Sequence, residues 1–293
     1  MTGPVAGMPV ADVDVTIELV RALLQDQHPD LGSLELRVAS AGWDNVMMRL
    51  GDQLAVRLPR RRESVVGLQN EQRWLPFLGE RLPAPVPVPM RTGVPGRGYP
   101  YVWSVVQWLP GEPAYARPLS AAGLTDLAVF LRTLHVEAPG DAPLNPFRGV
   151  PLAERDAAFA DRRDRALARG VDVSVADLRW AAGLAAPSAQ ETVWVHGDMH
   201  HANVLVSGDG RLSAVIDWND MCGGDAAGDL SAAWLIADDP EAFLAAYGPL
   251  SAGLRERAAG WAAYLALMFL EADAPGETLH ADMGRAALRR LAP

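Results

Sequence analysis

Residues 195–206, VHGDMHHANVLV, set three histidines, an aspartate and an asparagine between two apolar runs. Two chemistries can be built from them. His196 and His200 are four apart, a spacing that can bring two imidazoles onto one helical face for zinc in a metal hydrolase. Gly197 inside that interval and the strand-like VLV after it speak against such a helix, and only His28, His135 and His280 remain elsewhere as ligands. The other chemistry is phosphoryl transfer. Asp198 and Asn203 have the D-x-x-x-x-N spacing of a phosphoryl-transfer catalytic loop, and Asp217 follows in the run VIDW. In that reading Asp198 orients an attacking hydroxyl and accepts its proton, while Asn203 and Asp217 offer hard oxygen donors to magnesium. The turn SGDGR between NVLV and LSAVIDW predicts a tight hairpin, which brings the two metal-binding residues together from its two ends.

A polyphosphate donor also needs a cation. In LAVRL, residues 54–58, Ala55 and Arg57 share one face of a strand, as the alanine and lysine do in a V-A-I-K strand. Glu71, fourteen residues on, is the expected partner. It falls in a helical stripe with Leu68, Leu75, Leu78 and Leu82, where a carboxylate calls for pairing. Its carboxylate is expected to face an open cleft. All 26 basic residues are arginine, so chemistries that require a lysine, such as a Walker-type phosphate loop or a Schiff base, are excluded. The formal charge of −10 argues against nucleic acid as a partner and is compatible with a cationic substrate. One cysteine, Cys222, allows no internal disulfide, which fits a reducing compartment.

The elements that must position these residues are legible from period and punctuation. A chain of 293 residues with 49% hydrophobic and 21% charged content folds into one or two compact units. VTIELVRALL has helical spacing; LELRVAS and the two runs of VMMRLGDQLAVRLP predict an antiparallel meander over residues 34–59. SVVGLQNEQRWLPFLGERL returns to the helical period. The segment LPAPVPVPMRTGVPGRG reads as extended edge structure and turns, and YVWSVVQWL as a buried strand. PGEPA then breaks the chain. From Ser120 the pattern is mainly helical, interrupted by the hairpin. The expected fold class is α+β and two-lobed, with a small lobe of antiparallel sheet plus helix over residues 1–108 and a larger helical lobe over 109–293. The longest late apolar run, WAAYLALMFL, is too short to span a membrane, and the N-terminus lacks a signal-peptide pattern, so a cytoplasmic protein without membrane contact is expected.

HGDMHHANVL, VIDW and GDAAGDL together resemble the aminoglycoside phosphotransferase family, over roughly residues 35–290. The resemblance implies a protein-kinase-like fold that binds ATP or GTP with Mg2+ between its lobes, as a monomer or homodimer. It implies transfer of the γ-phosphoryl group to a hydroxyl of a small molecule, most readily an aminoglycoside or other antibiotic. Homoserine, choline or sugar kinases, and a catalytically silent nucleotide-binding protein, remain open. By the same resemblance Asp198 is the catalytic aspartate, Asn203 and Asp217 are the magnesium ligands, Glu71 is the helix glutamate, and Asp229 braces the catalytic loop. Gln107, Trp108 and Leu109 form the hinge that offers backbone groups to the adenine. Two departures stand out. Arg57 replaces the phosphate-binding lysine with a planar fork, and SAGWDN stands where a glycine-rich loop is expected, so Ser40, Gly42 and Asn45 would approach the phosphates through short side chains and backbone N–H groups. Acidic residues that bind cationic acceptors in the family would here be Asp156, Asp161, Asp164, Glu271 and Asp273.

Overall fold

The structure, a computed structural model, describes residues 10–271 and 279–292. The chain divides into two compact units, one running to Arg81 and resuming over Pro85–Pro110, the other comprising Leu82–Ala84 and the chain from Gly111 onward.

The first unit begins with α1 (Ile17–Gln27), whose first turn is capped by the Thr16 hydroxyl accepting the Leu19 N–H at 3.2 Å. Strands β1 (Leu36–Ala41), β2 (Asn45–Leu50) and β3 (Leu54–Pro59) form the expected meander, with Gly51 at φ 57° in the second turn. Helix α2 (Val65–Gly79) and strands β4 (Pro89–Gly93) and β5 (Trp103–Gln107) complete an antiparallel sheet of order β1-β2-β3-β5-β4. The proline-rich segment occupies the edge, where a missing N–H breaks no ladder. Strand alternation gives β3 two different faces. Val56 and Leu58 pack with Val20, Leu23 and Leu24 of α1 in the core, whereas Ala55 and Arg57 point the other way. On α2 the stripe Leu68, Glu71, Leu75 and Leu78 is buried as the spacing requires, but the helix stops at Gly79 and leaves Leu82 beyond it. Gln72 fixes α2 to β5 by donating to the Ser104 hydroxyl and the Trp103 carbonyl, each at 3.0 Å.

The second unit contains β6 (Glu112–Pro113), α3 (Ala121–Leu134), α4 (Asp156–Ala168), α5 (Ser174–Ala185), β7 (Val193–Val195), β8 (Val204–Val206), β9 (Leu212–Val215) and β10 (Cys222–Gly224). Helices α6 (Ala227–Leu230), α7 (Ala232–Leu235), α8 (Pro240–Tyr247), α9 (Leu254–Glu271) and α10 (Leu279–Leu291) follow. Helix α9 is apolar nearly all round and is buried by α4, α5, α6 and α10. Two small sheets, β6-β8-β9 and β7-β10, carry the motif residues. Strand β10, of sequence CGG, has no β-propensity to announce it. Its glycines are required by proximity, since a Cβ on Gly224 would lie 2.4 Å from the Gly149 carbonyl oxygen. Among the described residues no helix is long and apolar enough to cross a membrane.

Candidate active site

Strand β7 delivers the chain to His196 and Gly197, where it turns sharply. Gly197 adopts φ 86°, and a Cβ there would stand 2.5 Å from the Asp220 carbonyl oxygen, so only glycine fits. The turn is held from beneath by Asp229, fully buried on α6. Its carboxylate accepts the His196 N–H at 2.6 Å, the Gly197 N–H at 2.9 Å and His135 Nε2 at 3.3 Å. Burial opposes ionisation of this carboxyl, but the bonds from His135 and the loop outweigh it and hold it below the ordinary carboxylate range. His196 is engaged on both sides. Its Nδ1 accepts the Asp198 N–H at 3.2 Å, which places the ring proton on Nε2, and Nε2 donates to the Ile216 carbonyl at 3.0 Å. An imidazole with both nitrogens committed is a structural post, and its ring rests at 4.7 Å on Trp218.

Asp198 follows directly. Its side chain, 24% exposed, accepts from Arg148 Nη2 at 2.9 Å, His200 Nε2 at 3.2 Å and Asn203 Nδ2 at 3.2 Å. Burial again opposes the charge, and the charges of His200 and Arg148 outweigh it, keeping the carboxyl ionised well below the usual range. Arg148 also donates from Nε to Asp220 at 3.3 Å, and Asn145 Nδ2 donates to the same carboxylate at 2.9 Å. Burial pushes Asp220 up, partly countered by Arg148. Arg148, Asn145 and Asp220 carry no sequence signal, because the first two lie in the irregular segment between α3 and α4.

Asn203 is buried and also donates to the Asp198 carbonyl at 2.8 Å, so its amide nitrogen is committed and its oxygen is the atom suited to a cation. Pairing of Val204 with Val215, and the Ile216 N–H to Asn203 carbonyl bond of 2.9 Å, set Asn203 and Asp217 at the open end of the hairpin. Asp217 is exposed and left-handed at φ 62°, a conformation that costs a non-glycine residue ~1–3 kcal/mol and tends to mark functional sites. An oriented amide oxygen beside a strained carboxylate is a donor set that fits magnesium rather than zinc. Among the described residues no group of three or more His, Cys, Asp or Glu side chains is placed to hold a metal ion.

In the first unit Arg57 Nη1 reaches both Glu71 oxygens at 2.8 Å. The side chains are only 4% and 1% exposed, so the Glu71 carboxylate is buried, where an open, solvated surrounding was expected. Arg57 sits mid-sheet, opposite Met47 on one side and Ser104 on the other. Ala55 is buried on the same strand, opposite Val106. The SAGWDN turn is internally bonded. The Gly42 N–H donates to the Asn45 carbonyl at 2.9 Å, and Arg60 Nη1 donates to the Gly42 carbonyl at 3.0 Å. Ser40 is exposed on β1 and Asn45 is buried at the start of β2. At the expected hinge, Gln107 pairs with Leu54, the Trp108 N–H donates to the Gln53 carbonyl at 2.7 Å, and Leu109 is buried. The Gly42 and Trp108 amides, both expected to face nucleotide, are thus engaged within the chain.

The acidic residues expected to bind a cationic acceptor are engaged as well. Asp156 accepts Trp180 Nε1 at 2.8 Å, Asp164 pairs with Arg163 at 2.8 Å, and Asp161 pairs with Arg165. Glu271 takes Arg165 at 2.6 Å on one oxygen and Arg162 on the other. Asp273 lies outside the described residues. Elsewhere in this unit a cavity of about 560 Å³ is lined by residues including Arg148, Leu152, Gly183 and the buried Asp225–Arg257 pair.

The chain matches the APH phosphotransferase enzyme family over residues 35–267. Comparison with curated proteins finds no match. Among solved structures it is similar to APH(2")-IIia in complex with GDP and kanamycin, at 17% identity and a TM-score of 0.68, with 93% of this chain and 96% of that one covered. It is also similar to the macrolide 2'-phosphotransferase MphH from Brachybacterium faecium, at 24% identity and a TM-score of 0.60, covering 94% and 98%. A streptomycin-ATP-APH(2")-IIa ternary complex aligns at 19% identity and a TM-score of 0.60, covering 88% and 91%. At these identities the likeness establishes the fold, an antiparallel-sheet N-terminal part with a helical C-terminal part. By the extent of its family match, the chain belongs to the phosphotransferase enzyme family, whose members are small-molecule kinases acting on hydroxyl groups.

Proposed function

We propose that the protein transfers the γ-phosphoryl group of ATP or GTP to a hydroxyl of a small molecule. The observation that carries the reading is the braced loop on which Asp198 stays ionised while Asn203, bonded to it, stands beside the left-handed Asp217. In the reaction the acceptor oxygen forms a new bond to the γ-phosphorus as the bond to the β,γ-bridging oxygen breaks. The hydroxyl proton passes to Asp198 and on to solvent, and nucleoside diphosphate leaves. A carboxylate of such low basicity serves by holding and aiming the hydroxyl, and takes the proton as transfer proceeds. Asn203 and Asp217 would hold magnesium, whose charge when bound offsets that of the phosphates. Arg57 stands where the resemblance puts the phosphate-binding cation, but it is held by Glu71 with only 4% of its side chain exposed, so it would meet the nucleotide phosphates only where the nucleotide uncovers it.

The likeness to structures carrying GDP and ATP supports nucleotide use, and the aminoglycoside and macrolide phosphotransferases among them support an antibiotic acceptor. A small-metabolite acceptor is favoured by a different observation, the engagement of Asp156, Asp161, Asp164 and Glu271 within the protein. Calorimetric titration with ATP and with GTP, each with and without magnesium, tests the reading. Magnesium-dependent binding of at least one is expected; binding of neither would overturn it.

A further inference from the structure

Arg155 and Arg162 flank the phenol of Tyr264 on α9. Arg155 Nη2 donates to the Tyr264 hydroxyl at 2.7 Å, and its guanidinium carbon lies 5.4 Å from the rings of both Tyr264 and Phe147. The Arg162 guanidinium carbon lies 5.2 Å from the Tyr264 ring. Both arginines have a buried Nε with no acceptor. Arg162 shares Glu271 with Arg165, whereas Arg155 has no carboxylate partner among the described residues. The field at this spot is positive: burial opposes ionisation of Tyr264, yet Arg155 and Arg162 outweigh it and hold the phenol below its ordinary value. The cluster adjoins the candidate active site. Phe147 precedes Arg148, which bonds Asp198, and Tyr264 is near enough to act on the Arg148 charge.

Two neighbouring arginines around one phenol, each with an Nε that has no acceptor and one of them with no carboxylate partner among the described residues, favour an anion, since a carboxylate or phosphate would supply the charge-assisted bonds that the protein leaves unmade. Of the acids expected to bind a polycation, the four among the described residues, Asp156, Asp161, Asp164 and Glu271, are already engaged. We therefore propose that the acceptor is a hydroxyl compound bearing a carboxylate or phosphate, which Arg155 and Arg162 hold beside Tyr264. The assignment of this anion as acceptor rests on the phosphotransferase reading; the anion site itself does not.

The test is calorimetric titration of the full chain with glycerol 3-phosphate, glycerate, uncharged glycerol and polycationic kanamycin. One or both anions are expected to bind, the stronger of the two identifying the group, while glycerol and kanamycin do not. Arg155→Gln should weaken anion binding by about tenfold or more, and Arg155→Lys should restore part of it, with thermal melting showing that each variant is folded. Four results would overturn the proposal: no anion binding, kanamycin binding tighter than either anion, anion affinity indifferent to Arg155→Gln as for an ion held at Arg57, or kanamycin alone stimulating ATP or GTP consumption. The last would leave the phosphotransferase reading standing. Arg155-dependent anion binding with no nucleotide bound or consumed would uphold the site and defeat that reading instead.

Discussion

Arg57→Ala strands the Glu71 carboxylate in a place where water does not reach it. The pair is 2.8 Å long and its side chains are 4% and 1% exposed, so neither solvent nor salt can take over for a missing partner. Breaking a buried pair from one side costs ~3–5 kcal/mol, because the remaining charge stays desolvated. That is a large part of the ~5–15 kcal/mol typical of a folded protein. Glu71→Ala should cost a similar amount, since it leaves a buried guanidinium beneath the same sheet. The double variant removes both charges and leaves only lost packing, so its cost should approach that of one single change rather than the sum. The resulting coupling should fall at or above the upper end of the ~0.5–3 kcal/mol range seen for contacting residues. Urea unfolding of the four proteins measures it. Costs that simply add to within ~0.5 kcal/mol, or single variants as stable as the parent, would show that the pair does not hold β3 and α2 together.

Asp198→Ala should abolish most phosphoryl transfer while leaving nucleotide affinity nearly intact, whereas Asp217→Ala should weaken binding of the magnesium nucleotide itself; identical losses of binding in both would remove the separate roles. Cys222 is buried, and burial pushes its thiol up to about 12, so a thiol reagent at neutral pH should label the protein only after denaturation. Rapid labelling of the folded chain would contradict the packing of β10. Burial, assisted by the charges of Arg290 and His200, pushes His201 down to about 4 from an ordinary 6.5. The unfolded chain then binds the proton first, so this contribution to stability is complete above pH 6.5 and is lost as pH falls toward 4. Denaturant midpoints over that range should decline less in His201→Gln than in the parent, and an unchanged slope would refute the assignment.

What was readable from the sequence and what was not divides along one physical line. The meander, the α2 stripe and the Asn203–Asp217 hairpin follow from local period and turn chemistry, and the Arg57–Glu71 pair follows from the likeness of LAVRL to a V-A-I-K strand together with a charge lodged in an apolar stripe. Long-range pairing is invisible in the same way that it is decisive. Glu271 looks like an acceptor ligand until Arg162, 109 residues away, is found on its carboxylate. Arg148 reaches Asp198 across 50 residues from a segment with no periodicity, and β10 forms because glycine permits close approach, without any strand-forming residue. The burial of Glu71 could not be read either, since a stripe position tells which face it is on and not how deeply that face is covered.

Transfer of a labelled γ-phosphoryl group tests the central claim most directly. The protein is incubated with magnesium and γ-labelled ATP or GTP against a panel of hydroxyl compounds that spans anionic metabolites, uncharged sugars, macrolides and aminoglycosides. The products are then read by mass for gain of one phosphoryl group. The account predicts one class of acceptor that gains label, with loss of the signal in Asp198→Ala at undiminished nucleotide binding. Label transfer that persists in Asp198→Ala would contradict it.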